Sequence, residues 1–201
     1  MTLDIRGFHT DFVVVNRVPN HDKWKEYFVT NIDKELDSTI PVVKKGKMAE
    51  HTEYSSYVWD IQQSAKTSYF NAETIINFDK FTAEVIMPQV DELIEKLDLN
   101  KYKYLSDHHI WYQRFDQMGR HDPHTHPDSH LCFIYLLHVD EPNNTIFYNT
   151  DKKSSPMFKS QMLTEDIPEG SIMFFPGHLV HEVFPTEKRR YTIAGNLGLE
   201  Y

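Results

Sequence analysis

The stretch "GSIMFFPGHLVHEVFPTEKRRYTIAGNL", Gly170 to Leu197, holds three short β-branched and aromatic runs separated by Pro176–Gly177 and by "PTEKR". Runs of this length, bounded by turn residues, read as strands. Working backwards, "NTIFYN", "LCFIYLLHV" and "HHIWYQRF" have the same texture, so six strand-like runs follow Tyr102 at close spacing. Parallel strands need a crossover of a dozen or more residues, and most of these intervals are shorter than that. The C-terminal part therefore reads as an antiparallel sandwich, jelly roll or barrel.

The first hundred residues mix strand and helix. "DFVVVNRV" is β-branched and reads as a strand; "PNHDKWKEYFVTNID" follows with Asn20 as N-cap and Trp24, Phe28 and Ile32 at helical spacing. In "FTAEVIMPQVDELIEKLDL", Ile86, Val90, Leu93 and Leu97 share one stripe, giving a second amphipathic helix kinked or restarted at Pro88. No linker or composition break divides the 201 residues, so the expectation is one α+β domain over 1–201, with a helix-and-strand part to 104 and a β core from 105.

Composition narrows the function. A formal net charge of -9 disfavours polyanions, so nucleic acid is not the expected partner. The one cysteine, Cys132, excludes an intrachain disulfide and reads as a small core residue. "MTLDIRGFHTDF" lacks the regions of a signal peptide, and "FVVV" and "CFIYLL" are too short to cross a bilayer. A cytoplasmic protein without membrane contact is the expectation. No phosphate-cradling glycine loop, nucleophile elbow or cysteine pair for zinc is present.

The chemistry concentrates in "HDPHTHPDSH", residues 121 to 130, between the first two strand-like runs. In extended chain, residues i and i+2 face the same way, so His124 with His126, or His126 with Asp128, would aim two donors at one point. Iron(II) that also binds substrate and dioxygen suits two imidazoles and a carboxylate on one face, with the other face open. His181, in "GHLVHEVFP", is the best distant donor. Nine residues on, Arg190 would return on a strand beside the first, offering a planar, permanently charged fork to a dicarboxylate, with Thr192 adding a hydroxyl from the same face. His121 and His130 read as supporting or surface residues, and His108, His109, His138 and His178 as structural.

These residues carry a resemblance. "HTHPDSHLCFIYLL" followed by "GSIMFFPGHLVHEVFPTEKRRYTIAGN" resembles the double-stranded β-helix (jelly-roll, cupin-like) core of the 2-oxoglutarate/Fe(II)-dependent oxygenases, nearest in texture to the prolyl-hydroxylase-like branch and its bacterial and phage relatives. The match spans about residues 105 to 197. It implies Fe(II) and 2-oxoglutarate as cofactors and dioxygen as co-substrate; the N-terminal helices are expected to pack on that core. Oxidative decarboxylation of 2-oxoglutarate would then be coupled to hydroxylation of a small-molecule or peptidyl substrate. It also implies a role for Tyr135 in holding 2-oxoglutarate, although strand alternation equally allows Ile134 and Leu136 to face inward instead. Relatives with H-x-H-P at this place favour His124 with His126, whereas coordination preference favours His126 with Asp128. Two other readings compete: a cupin-like isomerase or thiol dioxygenase on His124, His126 and His181 without 2-oxoglutarate, and a non-catalytic β-sandwich module whose histidines are incidental.

Overall fold

The computed structural model describes residues 4–8, 11–37, 65–67, 74–97, 103–139, 142–148 and 161–200. Most of the polar segment "NTDKKSSPMFKSQMLTED" lies outside them. The strands are β1 (Asp4–Phe8), β2 (Asp11–Arg17), β3 (Ala65–Thr67), β4 (Lys103–Phe115), β5 (His121–His124), β6 (Leu131–Val139), β7 (Thr145–Tyr148), β8 (Gln161–Leu163), β9 (Ser171–Pro176), β10 (Val180–Val183) and β11 (Arg190–Glu200). They form a seven-stranded sheet in the order β1-β2-β9-β6-β11-β4-β3 and a four-stranded sheet in the order β5-β10-β7-β8. All six strand-like runs of the sequence are strands here.

Strand β6 shows why two layers must cover the large sheet. Leu131, Phe133, Tyr135 and Leu137 belong to one buried cluster; Cys132, Ile134 and Leu136 belong to another. Alternation puts the two sets on opposite faces, and a strand apolar on both faces needs cover on both. Helices cover the first. Helix α1 (His21–Asp37) buries Trp24, Phe28 and Ile32 there. It is also tied by polar contacts: Tyr112 donates to Glu35 at 3.0 Å, and Arg114 and Tyr191 both donate to Asp33 at 2.8 Å. The four-stranded sheet covers the other face, and the space between the sheets holds the candidate site.

Around Pro88 the chain finds a third solution beside a kink or a restart. A short turn α2 (Asp79–Phe81) runs into a π-helical stretch, Thr82–Ile86, and then into α3 (Met87–Lys96) with Pro88 in its first turn. Proline supplies no N–H and its ring crowds the carbonyl four residues back; widening the preceding turn makes room while Ile86, Val90 and Leu93 stay buried. Asn20 flanks α1 with a φ of 53°, and its carbonyl oxygen accepts from Lys23 N at 3.1 Å. Among the described residues no helix is long and apolar enough to cross a membrane.

Candidate metal centre

Strand β5 is the edge of the small sheet and pairs antiparallel with β10. His181 lies opposite His124 and Val183 opposite His121, so β5 spends one residue more than β10 between the two pairs. Pro123, which cannot donate to a ladder, sits at this bulge. The bulge matters because His121 and His124 are three apart and would face opposite ways on a regular strand. Here their rings lie with centroids 3.8 Å apart. His121, read from sequence as a supporting or surface residue, is thus part of the histidine cluster.

His126 comes from beyond the strand. Ser129 N donates to His126 O at 3.0 Å, closing a turn through Pro127 and Asp128, with proline at the position where its fixed φ is favourable. That turn is latched to the β9–β10 connection, where His126 N donates to Gly177 O at 2.7 Å. A Cβ on Gly177 would sit 2.1 Å from Ser129 O and 2.5 Å from His126 O, so only glycine permits this approach.

The donor atoms of His124, His126 and His181 all lie within 4.8 Å of one another. Asp128 is exposed in the turn and stands outside that group; the extended geometry that would have aligned it with His126 is absent, since the chain turns at Pro127. The donor set fits a metal in a second way. Nδ1 of His124 lies 2.8 Å from Asp122 O and Nδ1 of His181 lies 3.0 Å from Leu179 O. A carbonyl oxygen only accepts, so each Nδ1 carries the proton and each Nε2 keeps its lone pair. Burial depresses the pKa of all three, His126 to about 3 and His181 well below the usual range; neighbouring imidazoles add to the effect at His126 and His181, while the bond to Asp122 O opposes it at His124. Three neutral imidazoles therefore face one point, walled by Phe175 and Phe147 with ring centroids 4.7 and 5.8 Å from that of His181.

Arg190 does not return beside His181. Strand β11 pairs with β4 and β6 in the large sheet, so the chain between β10 and β11 crosses from one sheet to the other. Arg190 reaches the shared interior from the opposite wall. It is 1% exposed, donates from Nη2 to Thr145 Oγ1 at 2.7 Å, and lies over Phe115 with 5.7 Å from Cζ to the ring centroid. Thr145 is opposite Val183 in the β7–β10 ladder, one inward position from the His181–Phe147 pair. Thr192 faces the same interior and donates to Gln113 Oε1 at 3.3 Å; Gln113 Nε2 in turn lies 3.5 Å from His121 Nδ1. A long polar chain thus runs from Thr192 to the histidines.

Tyr135 is corrected. It lies on the helix face of β6, stacked on Phe81 at 5.3 Å, while Ile134 and Leu136 face inward. Glu169 accepts from His21 Nε2 at 3.2 Å, leaving His21 Nδ1 to accept from the Tyr135 hydroxyl at 2.7 Å. Gln113, Thr145 and Phe115 went unnoticed in sequence. The alternation of β4 carries Gln113 and Phe115 inward together, but only the pairing with β11 shows which face is inward.

Residues 109–196, the segment that supplies all of these side chains, match the family model described as "Putative 2OG-Fe(II) oxygenase". This segment resembles the core of the 2-oxoglutarate/Fe(II) oxygenases. The oxygenase fold is shared with a prolyl-4-hydroxylase from Pseudomonas putida (12% identity, TM-score 0.58, covering 94% of this chain and 93% of that one). It is shared too with a prolyl hydroxylase from Trichoplax adhaerens, solved with a hypoxia inducible factor oxygen degradation domain peptide fragment (12% identity, TM-score 0.56, 94% and 84% covered). No curated protein matches the chain in sequence. The oxygenase is an oxidoreductase whose cofactors are Fe(II) and 2-oxoglutarate, and the three histidines are a donor set that fits the metal.

Proposed function

We propose that the oxygenase is a hydroxylase in which His124, His126 and His181 hold the iron and Arg190 and Thr192 hold the far carboxylate of 2-oxoglutarate. The observation that carries this reading is the pairing of His124 with His181 next to His126, inside the same space into which Arg190 is buried from the facing sheet. When bound, iron and 2-oxoglutarate supply dioxygen activation coupled to decarboxylation, with succinate and carbon dioxide as products. The chain supplies the rest. Its backbone carbonyls at Asp122 and Leu179 fix two imidazole tautomers, so the ligands need no proton removed before they bind metal. Its guanidinium offers a bidentate, charge-assisted pair to a carboxylate. Phe115, Phe147, Phe175 and Val183 exclude water from the reacting centre.

Geometry favours the three-imidazole set: the donor atoms of His124, His126 and His181 lie within 4.8 Å of one another, whereas Asp128 is exposed in the turn and outside that group. The test is anaerobic titration of the Fe(II)-loaded protein with 2-oxoglutarate. A visible charge-transfer band, followed by succinate release on admitting oxygen, is expected. A protein that binds Fe(II) but forms no band has the metal site without the co-substrate, as in the cupin-like reading.

A further inference from the structure

Thr192, Gln113 and His121 form a chain whose hydrogen bonds have a direction. The Thr192 hydroxyl donates to Gln113 Oε1 at 3.3 Å, and Gln113 Nε2 lies 3.5 Å from His121 Nδ1. An amide nitrogen only donates, so His121 Nδ1 accepts and the ring proton of His121 sits on Nε2. This is the opposite tautomer to that of His124 and His181, whose Nδ1 atoms each carry the proton toward a backbone carbonyl. His121 holds it while lying against His124, with 3.8 Å between ring centroids.

That direction conflicts with a carboxylate bound beside Arg190. Thr192 has one hydroxyl proton, and a carboxylate only accepts. To bind the far carboxylate of 2-oxoglutarate, Thr192 must turn its proton away from Gln113. Thr192 is 1% and Gln113 9% exposed, so the abandoned Oε1 would be a buried acceptor without a donor, which is costly. One rearrangement satisfies every buried group of the chain. The Gln113 amide turns over, its Nε2 donates to Thr192 Oγ1, and its Oε1 accepts from His121 Nδ1. For this, one proton leaves His121 Nε2 for water and another reaches Nδ1 from water, so the ring keeps its charge. His121 is half-buried, which gives water that access. Both bonds of the original chain are long, so reversing them gives up little. In the reversed chain every donor points toward the carboxylate, and bonds in series polarise one another, making Thr192 the stronger donor.

We propose that Gln113 and His121 are positioning residues for 2-oxoglutarate, and that its binding reverses the Thr192–Gln113–His121 chain and switches the tautomer of His121. This rests on the assignment of Arg190 and Thr192 to the far carboxylate and extends it to the two residues behind Thr192.

The experiment uses the full chain with isotope-labelled histidine and Zn(II) in place of Fe(II), a diamagnetic ion that a three-imidazole site accepts. Long-range proton–nitrogen spectra tell a protonated ring nitrogen from an unprotonated one, and the His121 signals are those missing from His121→Phe. The His121 proton is expected on Nε2 without 2-oxoglutarate and on Nδ1 at saturation, with saturation followed separately by calorimetry. His121→Phe keeps a ring against His124 and removes both nitrogens; Gln113→Leu keeps the volume and removes both hydrogen bonds. Each is expected to raise the 2-oxoglutarate Kd by about 3–10-fold, the scale for one neutral hydrogen bond. Zn(II) affinity, read by chelator competition, should not change in either. The double variant should bind no more weakly than the weaker single, because a chain is broken once. The same His121 nitrogen protonated before and after saturation overturns the proposal, and so do single losses that multiply in the double variant. A Thr192→Val protein that binds 2-oxoglutarate as tightly as the parent instead removes the assignment of Thr192 beneath it.

Discussion

His124 and His181 face each other directly across the β5–β10 ladder, with ring centroids 4.2 Å apart and each Nδ1 bonded to the carbonyl two residues before it. Two imidazoles set by one strand pair make a rigid half of the candidate site, and the turn carrying His126 completes it. His124→Ala and His181→Ala should each lose iron on dialysis and fail to form the 2-oxoglutarate band. Asp128→Ala, a change at an exposed turn, should keep iron affinity within about twofold. Iron content of the dialysed variants separates the outcomes. An Asp128→Ala protein that sheds its iron would restore the carboxylate to the ligand set.

Arg190 presents a planar fork held by Thr145 and Phe115, which the proposed function assigns to the far carboxylate of 2-oxoglutarate. Arg190→Lys keeps the charge and loses the bidentate geometry, so the 2-oxoglutarate Kd should rise by about 10–100-fold, in line with roughly 1.5–3 kcal/mol for a charged hydrogen bond. Iron content should not change. Titration of the anaerobic band measures the first and metal analysis the second.

Gly177 holds the His126 turn against the β9–β10 connection. Gly177→Ala must push the backbone at His126 and Ser129 away, and the expected result is a loss of iron affinity of about tenfold, the lower end of the range for disturbing a ligand's support. Competition with a chelator reads this directly. An unchanged chelator midpoint would mean that the turn does not position His126.

Tyr135→Phe should cost about 1 kcal/mol of stability by removing the hydrogen bond to His21, and should leave the 2-oxoglutarate Kd unaltered. Denaturant unfolding beside the band titration checks both halves. A shift in the Kd would return Tyr135 to the co-substrate pocket.

Glu169 gives the fold a pH dependence away from the site. Desolvation raises its pKa, but donors from Lys25, Val139 N, His21 and His138 outweigh this and hold the carboxyl down at about 2. A carboxyl depressed in the folded state stabilises the fold above the ordinary value of 4.5, and that stability is lost as pH falls toward 2. The Tm of Glu169→Gln should therefore lie below that of the parent at pH 7, with the gap narrowing as the buffer is taken below pH 4.5. Thermal melts across that range test it; a gap independent of pH would show that the ionised carboxylate is not what holds the junction.

Much of this was legible in the sequence because strands announce themselves locally. The six β runs, the helix on Trp24, Phe28 and Ile32, and the buried stripe Ile86, Val90 and Leu93 all follow from side-chain period. What was not legible depended on register or on the partner sheet. The bulge that turns His121 inward shows only in its pairing with β10, and the placement of β11 opposite β10 rather than beside it is a choice between sheets. Asp128 and Tyr135 turned on the same ambiguity, whether a residue sits in a strand and which way that strand faces. Alternation narrows such a question to two answers, and long-range packing selects between them.

The two faces of β11 divide labour with a period of two. Tyr191, Ile193 and Leu197 pack toward the helices, while Arg190, Thr192, Ala194 and Asn196 look into the site. Substitutions at adjacent positions of this strand are therefore expected to act on different traits, one on stability and the next on the proposed chemistry. A saturation library scored for both traits would show them out of phase along residues 190 to 197, a comb in which every second tooth belongs to chemistry.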